Sequence, residues 1–460
     1  MSRSFYGGVH PPASTTIASD RPIRRVFIPK KVIIPLSQHT GSPAEPVVGV
    51  GASVKAGELI AKPSGYISAA VHASISGKVS KIAYSHTHNQ ARVLCVTIES
   101  SGSEDQEVKA RAVENPLLLP TEEILNMIRD AGIVGMGGAA FPTHVKLSPP
   151  KTRPVDTVIL NGAECEPYLT CDQRLMVEKS KAVARGLEII MKTLGAKRAF
   201  IAVEDNKLAA IYAMERALEK TEDIKPKTVT HRPKPGEYRR EAGSITMAVL
   251  KTKYPQGAER QIIKAILGRV VPAEGLPIDV GCVVQNVATA YAIYEAVYLS
   301  RPLVERVVTI TGPCVREPFN QWVRVGTLLS DITAASGTFV KEPKKVIVGG
   351  PMMGAAQYSM DVPISKGVGG AVFMSGEEID RSCESVCIRC GKCIEACPME
   401  LVPTTLMYRV KKEMFPEAKE FGINNCYECG ACAYTCPAKI PLLDYMKYGK
   451  AKIASLDRKI

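Results

Sequence analysis

The sequence predicts a multidomain protein of the α/β-plus-β class, and three observations carry that expectation. From about 118 to 300 the text alternates between helix-like and strand-like stretches, as in a sheet covered by helices. On either side, short Val/Ile runs separated by Gly, Pro and Ser read as β structure. Nine of the 14 cysteines fall between 383 and 436, which marks a separate small domain. A chain of 460 residues has room for several domains of ~100–200 residues. Hydrophobic residues at 45% and charged residues at 23% exclude a largely disordered chain. No run approaches the ~18 uncharged apolar residues of a membrane helix. The first residues lack an apolar signal core, so export is not expected.

Residues 1–25 form the N-terminal segment and read as irregular, with turns at Gly7-Gly8 and Pro11-Pro12. Residues 26–105 are expected to form a lipoyl-like barrel-sandwich. The pattern Val50-Gly51, Val54, Gly57, Ile60, then Ser76-Gly77 and Val79 resembles that fold. Such a domain carries its modified lysine at a hairpin tip, and no lysine occurs between Pro63 and Gly77. The barrel is therefore structural rather than a swinging arm.

Residues 106–300 are expected to form a Rossmann-like domain. Thr121 is placed to cap a helix with acids in its first turn, and Gly132 to end it. A strand at 158–160, a helix over 173–194 closed by Gly195, a strand at 200–203 and a helix from Asn206 to about 220 follow. Helices at 257–268 and 286–300 complete the domain. Residues 301–366 return to short strands and turns and are expected to form a β-grasp-type module. Residues 367–446 form the cysteine-rich domain, with a helix from Thr404 to Phe421 between its two motifs. Residues 447–460, with Lys447, Lys450, Lys452, Arg458 and Lys459, are expected to be a basic, partly mobile tail.

The cysteine motif occurs twice. Cys387, Cys390, Cys393 and Cys397-Pro398 are followed by Cys426, Cys429, Cys432 and Cys436-Pro437, each with x2, x2, x3 spacing. A tight turn with that spacing points three thiolates at one [4Fe–4S] cluster, and the fourth must come from elsewhere. In the two-cluster pattern the fourth cysteine of each run ligates the other cluster. One set is then Cys387, Cys390, Cys393 and Cys436, and the other Cys426, Cys429, Cys432 and Cys397. Structural zinc favours four ligands in two separated pairs, which fits eight cysteines in two identical runs poorly. Cys383 has no assigned role. Cys95, Cys165, Cys171, Cys282 and Cys314 are isolated and read as ordinary thiols.

Two further segments carry chemistry. Gly135-Met136-Gly137-Gly138-Ala139-Ala140-Phe141 lets the backbone approach a ligand closely ahead of a helix start. Alone it reads equally well as a plain glycine turn. Asn161-Gly162-Ala163-Glu164-Cys165-Glu166 lies just past a strand's C-terminal end, where open α/β sheets bind ligands. An amide and two acids there suit the polar edge of a flavin or a ribose; the bland alternative is a helix-capping turn.

These two segments resemble the flavin- and NADH-binding subunit of respiratory complex I. Phe5-Tyr-Gly-Gly-Val-His10-Pro-Pro and Ile34-Pro-Leu-Ser-Gln38-His39 extend the likeness to the RnfC family, which belongs to the Rnf ion-translocating ferredoxin:NAD+ oxidoreductases. That resemblance covers essentially the full length and implies FMN, NAD(H) and two [4Fe–4S] clusters. It implies flavin contacts from Gly135, Gly137, Gly138, Lys146, Asn161, Glu164 and Asn286. Phe141 matches an aromatic that stacks on the NADH adenine, and Glu166 an acid near the nicotinamide ribose. Tyr254, Gly257 and Glu259 match a third segment of the site, in which Ala258 replaces an acid; Ala163 likewise replaces an Asp. The β-grasp module would be of the type called SLBB.

The implied activity is hydride exchange between nicotinamide and flavin, with single electrons passing through the clusters, so no acid–base catalyst is nominated. In such a complex, electrons from ferredoxin reach NAD+ and drive Na+ or H+ transport through membrane subunits. The chain would then be a peripheral subunit on the cytoplasmic membrane face, with other membrane and iron–sulfur subunits as partners and ferredoxin an indirect one. A related cobalamin reductase of a microcompartment is the alternative in the same chemistry; the N-terminal signature and the barrel favour the former. The net charge of +13 invites a nucleic-acid reading, but aromatics at 6% with one Trp supply few stacking platforms. Two clusters and FMN lower that charge to about +7, which suits an acidic partner or an anionic membrane surface.

Overall fold

The computed structural model describes residues 4–14, 16–89, 91–102, 106–219, 245–335, 337–380 and 382–457. Four sheets organise them. Two small antiparallel sheets form the barrel: Lys31–Pro35, Arg92–Ser100, Gly77–His86 and Ser53–Val54 in one, Glu45–Pro46, Leu59–Lys62 and Val71–His72 in the other. Alternating residues close one core between them, with Val32, Ile34, Ile60, Ile75, Val79 and Ile98 fully buried.

The central sheet is parallel throughout, in the order Ile245–Leu250, Arg198–Glu204, Thr157–Gly162, Cys282–Asn286. Its strands are near-continuous apolar runs because both faces are covered. Val158 and Leu160 face the helices Cys171–Leu194, Leu208–Glu219 and Val287–Leu299. Ile159 faces the other way, onto Glu259–Leu267. Strand order reverses at Thr157–Gly162, so the topological switch lies between it and Cys282–Asn286. Gly195 closes the long helix in a left-handed conformation, as expected. Pro120, not Thr121, stands at the cap position of the helix Thr121–Asp130; a proline-set extended backbone enters the helix one residue earlier.

The third unit is a mixed six-stranded sheet, ordered Arg24–Phe27, Phe319–Arg324, Glu305–Thr311, Gly370–Met374, Lys345–Val348, Ala355–Gln357. It reaches beyond the expected 301–366 on both sides. Arg24–Phe27 adds a parallel strand to an otherwise open edge. Gly370–Met374 enters the middle, where an apolar run with four buried residues belongs.

In the cysteine-rich domain the single expected helix is two, Pro403–Lys411 and Phe415–Glu420, parted at Glu413 with φ +57°. Residues 447–457 are no tail: they continue the helix Leu442–Asp457, whose Met446 and Ile453 join Leu406 and Val410 in the core. Gly449 allows the crossing, since a Cβ there would lie 2.6 Å from Val410. Arg458 and Lys459 lie outside the described residues.

Candidate cofactor and cluster sites

The switch point places two asparagines side by side. Asn161 and Asn286 are paired across neighbouring parallel strands, both at the C-terminal end. Asn161 Nδ2 donates to Gly257 O at 2.7 Å. Asn286 Oδ1 accepts from Ala288 N and caps the helix Val287–Leu299, while its Nδ2 donates to Asp172 Oδ2 at 2.6 Å. The glycine-rich loop lies over this pair: a Cβ on Gly137 would lie 3.3 Å from Asn286. Gly138 adopts φ +115°, and a Cβ there would meet nothing within 4 Å. Backbone that only glycine adopts, facing open space at a switch point, is a cradle for a planar or phosphorylated ligand. Gln256 Nε2, one residue from Gly257, is buried and has no hydrogen-bond partner among the described residues, which again fits a bound polar group.

The acids are held by backbone. Glu164, at φ +47°, accepts from Asp172 N and Gln173 N and so caps the helix Cys171–Leu194. Burial, then the neighbouring Asp172, push its carboxyl up to about 7. Glu166 accepts from Met352 N and Met353 N of the six-stranded unit at 3.0 and 2.8 Å. Burial raises it to about 7 despite those bonds. Lys146 pairs with Glu259, and Phe141 O accepts from Gly135 N to close the loop. Gly137, Asn161, Glu164, Gly257 and Asn286 are thus brought together at the switch point, while Tyr254 is turned toward the cluster domain: its hydroxyl donates to Cys429 O at 2.7 Å.

Sequence reasoning missed several participants. Asp172 reads as an ordinary first-turn acid, yet it joins Asn286 to the Glu164 cap. Cys165 reads as a bystander, yet its Sγ accepts from Gly257 N at 3.3 Å. Glu204 and Lys207 form a nearly fully buried ion pair where the strand Arg198–Glu204 ends. The i,i+3 spacing was legible, but not the burial.

The eight motif cysteines fall into two sets. Cys397, Cys426, Cys429 and Cys432 line one cavity together with Tyr427, Leu401, Leu406 and Met446. In the other set Cys393 lies within electrostatic reach of Cys436, Cys387 and Cys390. Both sets combine three cysteines of one run with the fourth of the other. Among the described residues no three of these cysteine sulfurs lie within 4.8 Å of one another, whereas thiolates about 2.3 Å from a single tetrahedral zinc would sit closer than that. Burial raises the Cys429 thiol to about 12, so a thiolate there needs a positive charge beside it, such as a bound metal. The donor set and its spacing fit [4Fe–4S] clusters.

Comparison with known proteins agrees with this geometry. A family model for the RnfC barrel sandwich hybrid domain matches residues 3–103. One for the Nuo51 FMN-binding domain matches 128–295, and one for a 4Fe-4S dicluster domain matches 386–440. The RnfC-type component of the proton-translocating ferredoxin:NAD(+) oxidoreductase complex of Clostridium ljungdahlii is 46% identical over 98% of this chain and 94% of its own length. The chain belongs to the RnfC family of ion-translocating ferredoxin:NAD+ oxidoreductases. Its counterpart in the Na(+)-translocating complex of Acetobacterium woodii is 39% identical over 99% of this chain and 98% of that one. The counterpart in the ion-translocating oxidoreductase complex of Rhodobacter capsulatus is 38% identical over 99% and 84%. Among solved structures, an NAD+-reducing [NiFe]-hydrogenase aligns with a TM-score of 0.48 at 18% identity, over 75% of this chain and 63% of that one. This RnfC chain thus holds an FMN-binding domain and a dicluster domain, and the matched ranges contain the glycine-rich loop, Asn161, Asn286 and all eight motif cysteines. No helix among the described residues is long and apolar enough to cross a membrane.

Proposed function

We propose that the chain is the peripheral electron-transfer subunit of an ion-translocating ferredoxin:NAD+ oxidoreductase. It exchanges hydride between NAD(H) and FMN and passes single electrons through two [4Fe–4S] clusters, coupling that flow to Na+ or H+ transport by membrane partners. Bound FMN converts between two-electron hydride and single electrons, and each cluster carries one electron at a time. Gly135, Gly137, Gly138, Lys146, Asn161, Glu164, Tyr254, Gly257, Glu259 and Asn286 form the flavin site; Phe141 and Glu166 form its nucleotide side. The six-stranded unit is the SLBB-type module, and it presents Met352 and Met353 to Glu166. Ferredoxin is the indirect donor, and partner subunits hold the chain on the cytoplasmic membrane face.

One observation carries the reading: the set Cys397, Cys426, Cys429 and Cys432 packs directly on the flavin domain. Tyr254 donates to Cys429 O, and Gln261 Nε2 donates to O of Pro398, next to Cys397, at 2.9 Å. The start of the first run faces outward, with Cys390 exposed and Val386 and Ile388 84% and 66% exposed. The set with Cys429 is thus the inner relay and the set with Cys390 the outer one. Anaerobic reconstitution with iron, sulfide and FMN tests it. About eight irons per chain and NADH-dependent bleaching are expected; four or fewer irons, or no bleaching, would contradict it.

A further inference from the structure

The glycine-rich loop is gripped from outside its own domain. Thr40, in the barrel, donates through N to Ala140 O at 3.1 Å and through Oγ1 to Ala139 O at 2.9 Å. Arg306, in the six-stranded unit, donates to Met136 O at 3.2 Å and to Lys366 O at 2.6 Å. Lys366 Nζ in turn donates to Gly132 O and to the barrel's Ala70 O, both at 2.7 Å. Gly367 lies against the same loop, and a Cβ there would stand 3.3 Å from Gly138 O. None of Thr40, Arg306 and Lys366 falls in the range that matches the FMN-binding domain.

Arg306 is also an unusual charge. It is 1% exposed, and among the described residues its hydrogen bonds go only to carbonyls: Val307, Met136 and Lys366. A buried guanidinium that bonds no carboxylate is costly; Arg306 lies within electrostatic reach of the buried Asp172 and favours its ionised form, so its charge falls on the Asp172–Asn286 pair under the loop. The loop it holds is the one that lies over Asn286 and leaves Gly138 facing open space.

We propose that Arg306 is a positioning residue of the flavin site, fixing the loop through Met136 and supplying positive potential to the anionic cofactor, while Thr40 makes the barrel the second grip on that loop. This rests on the FMN reading. It also assigns a role to a barrel with no lysine between Pro63 and Gly77.

The test uses the full reconstituted chain and three variants, Arg306→Met, Arg306→Lys and Thr40→Val. FMN affinity is read from fluorescence quenching and the flavin midpoint potential from redox titration, with iron content and melting temperature as controls for folding. Arg306→Met is expected to weaken FMN on the order of tenfold or more, the scale of losing a charge-assisted hydrogen bond, and to make the flavin potential more negative. Arg306→Lys should restore the potential and part of the affinity, because the charge remains and the fork does not. Thr40→Val should weaken FMN about threefold, from one neutral hydrogen bond, and leave the potential in place. Wild-type affinity and potential in Arg306→Met overturn the proposal. If Arg306→Met does not fold, wild-type affinity in both other variants overturns it. A wild-type chain that binds no FMN sinks the cofactor reading and this proposal together; a wild type that binds FMN no better than its variants sinks this proposal alone.

Discussion

Glu166 shows how a single side chain couples the modules to pH. Its carboxyl sits at about 7 in the folded chain against an ordinary 4.5. Between those values the unfolded chain is deprotonated and the native chain holds its proton. Stability therefore falls as pH rises through that window and levels off above it. Glu164 and Glu295, also raised to about 7, add to the same slope, so Glu166→Gln should reduce it without abolishing it, as read from urea midpoints at pH 5, 6, 7 and 8; an unchanged slope would mean the group titrates normally. Crossed ligation is equally local. Cys436→Ser should damage the cluster held by Cys387, Cys390 and Cys393, seen as loss of one electron-paramagnetic signal. Loss confined to the other cluster would refute the pairing.

Two helices carry the site at the scale of elements. Cys171–Leu194 begins beside Asp172, and Val287–Leu299 begins at Asn286. They touch at Gly186, where a Cβ would lie 1.9 Å from Ala290 O. No side chain fits, so the glycine sets their spacing. Gly186→Ala should cost roughly 1–3 kcal/mol from overpacking, measured by denaturant titration. It should also weaken FMN binding, because the shift moves Asn286 relative to Asp172. Stability equal to wild type would mean the crossing has slack. The break between Pro403–Lys411 and Phe415–Glu420 has a local cause that the expected single helix overlooked. Pro416 stands in the first turn of Phe415–Glu420; it has no N–H to give the Lys412 carbonyl and its ring would clash there, so one helix cannot run through, and both pieces pack against Leu442–Asp457.

At the scale of the molecule, the loop 254–257 joins the two redox units. Its contact with Cys429 is buried. Tyr254→Phe leaves the Cys429 carbonyl without its donor, at about 1–3 kcal/mol. In rapid mixing with NADH, bleaching of the clusters should then lag further behind bleaching of the flavin than in wild type. An equal lag would place electron passage elsewhere. The six-stranded unit acts at the same scale: it borrows Arg24–Phe27, holds Glu166 through Met352 and Met353, and holds the glycine-rich loop through Arg306.

What the sequence determined by itself was the chemistry of repeated local patterns. Thiol spacing, glycine runs and apolar alternation are short-range signals, so the eight cysteines, the glycine-rich loop and the α/β core were legible directly. The strand Thr157–Gly162 and the acids after it were legible for the same reason. Only the tertiary structure decided which unit each segment serves. Arg24–Phe27 joins a strand nearly 300 residues away. Arg306 looks like one more strand cation until burial places it under the loop. Glu164 and Glu166 read as ligand-facing acids; backbone N–H groups hold both carboxylates, Glu164 from the next helix start and Glu166 from Met352 and Met353 of another unit. The Glu166 partners come from a contact between units, and no window of sequence contains both sides of such a contact.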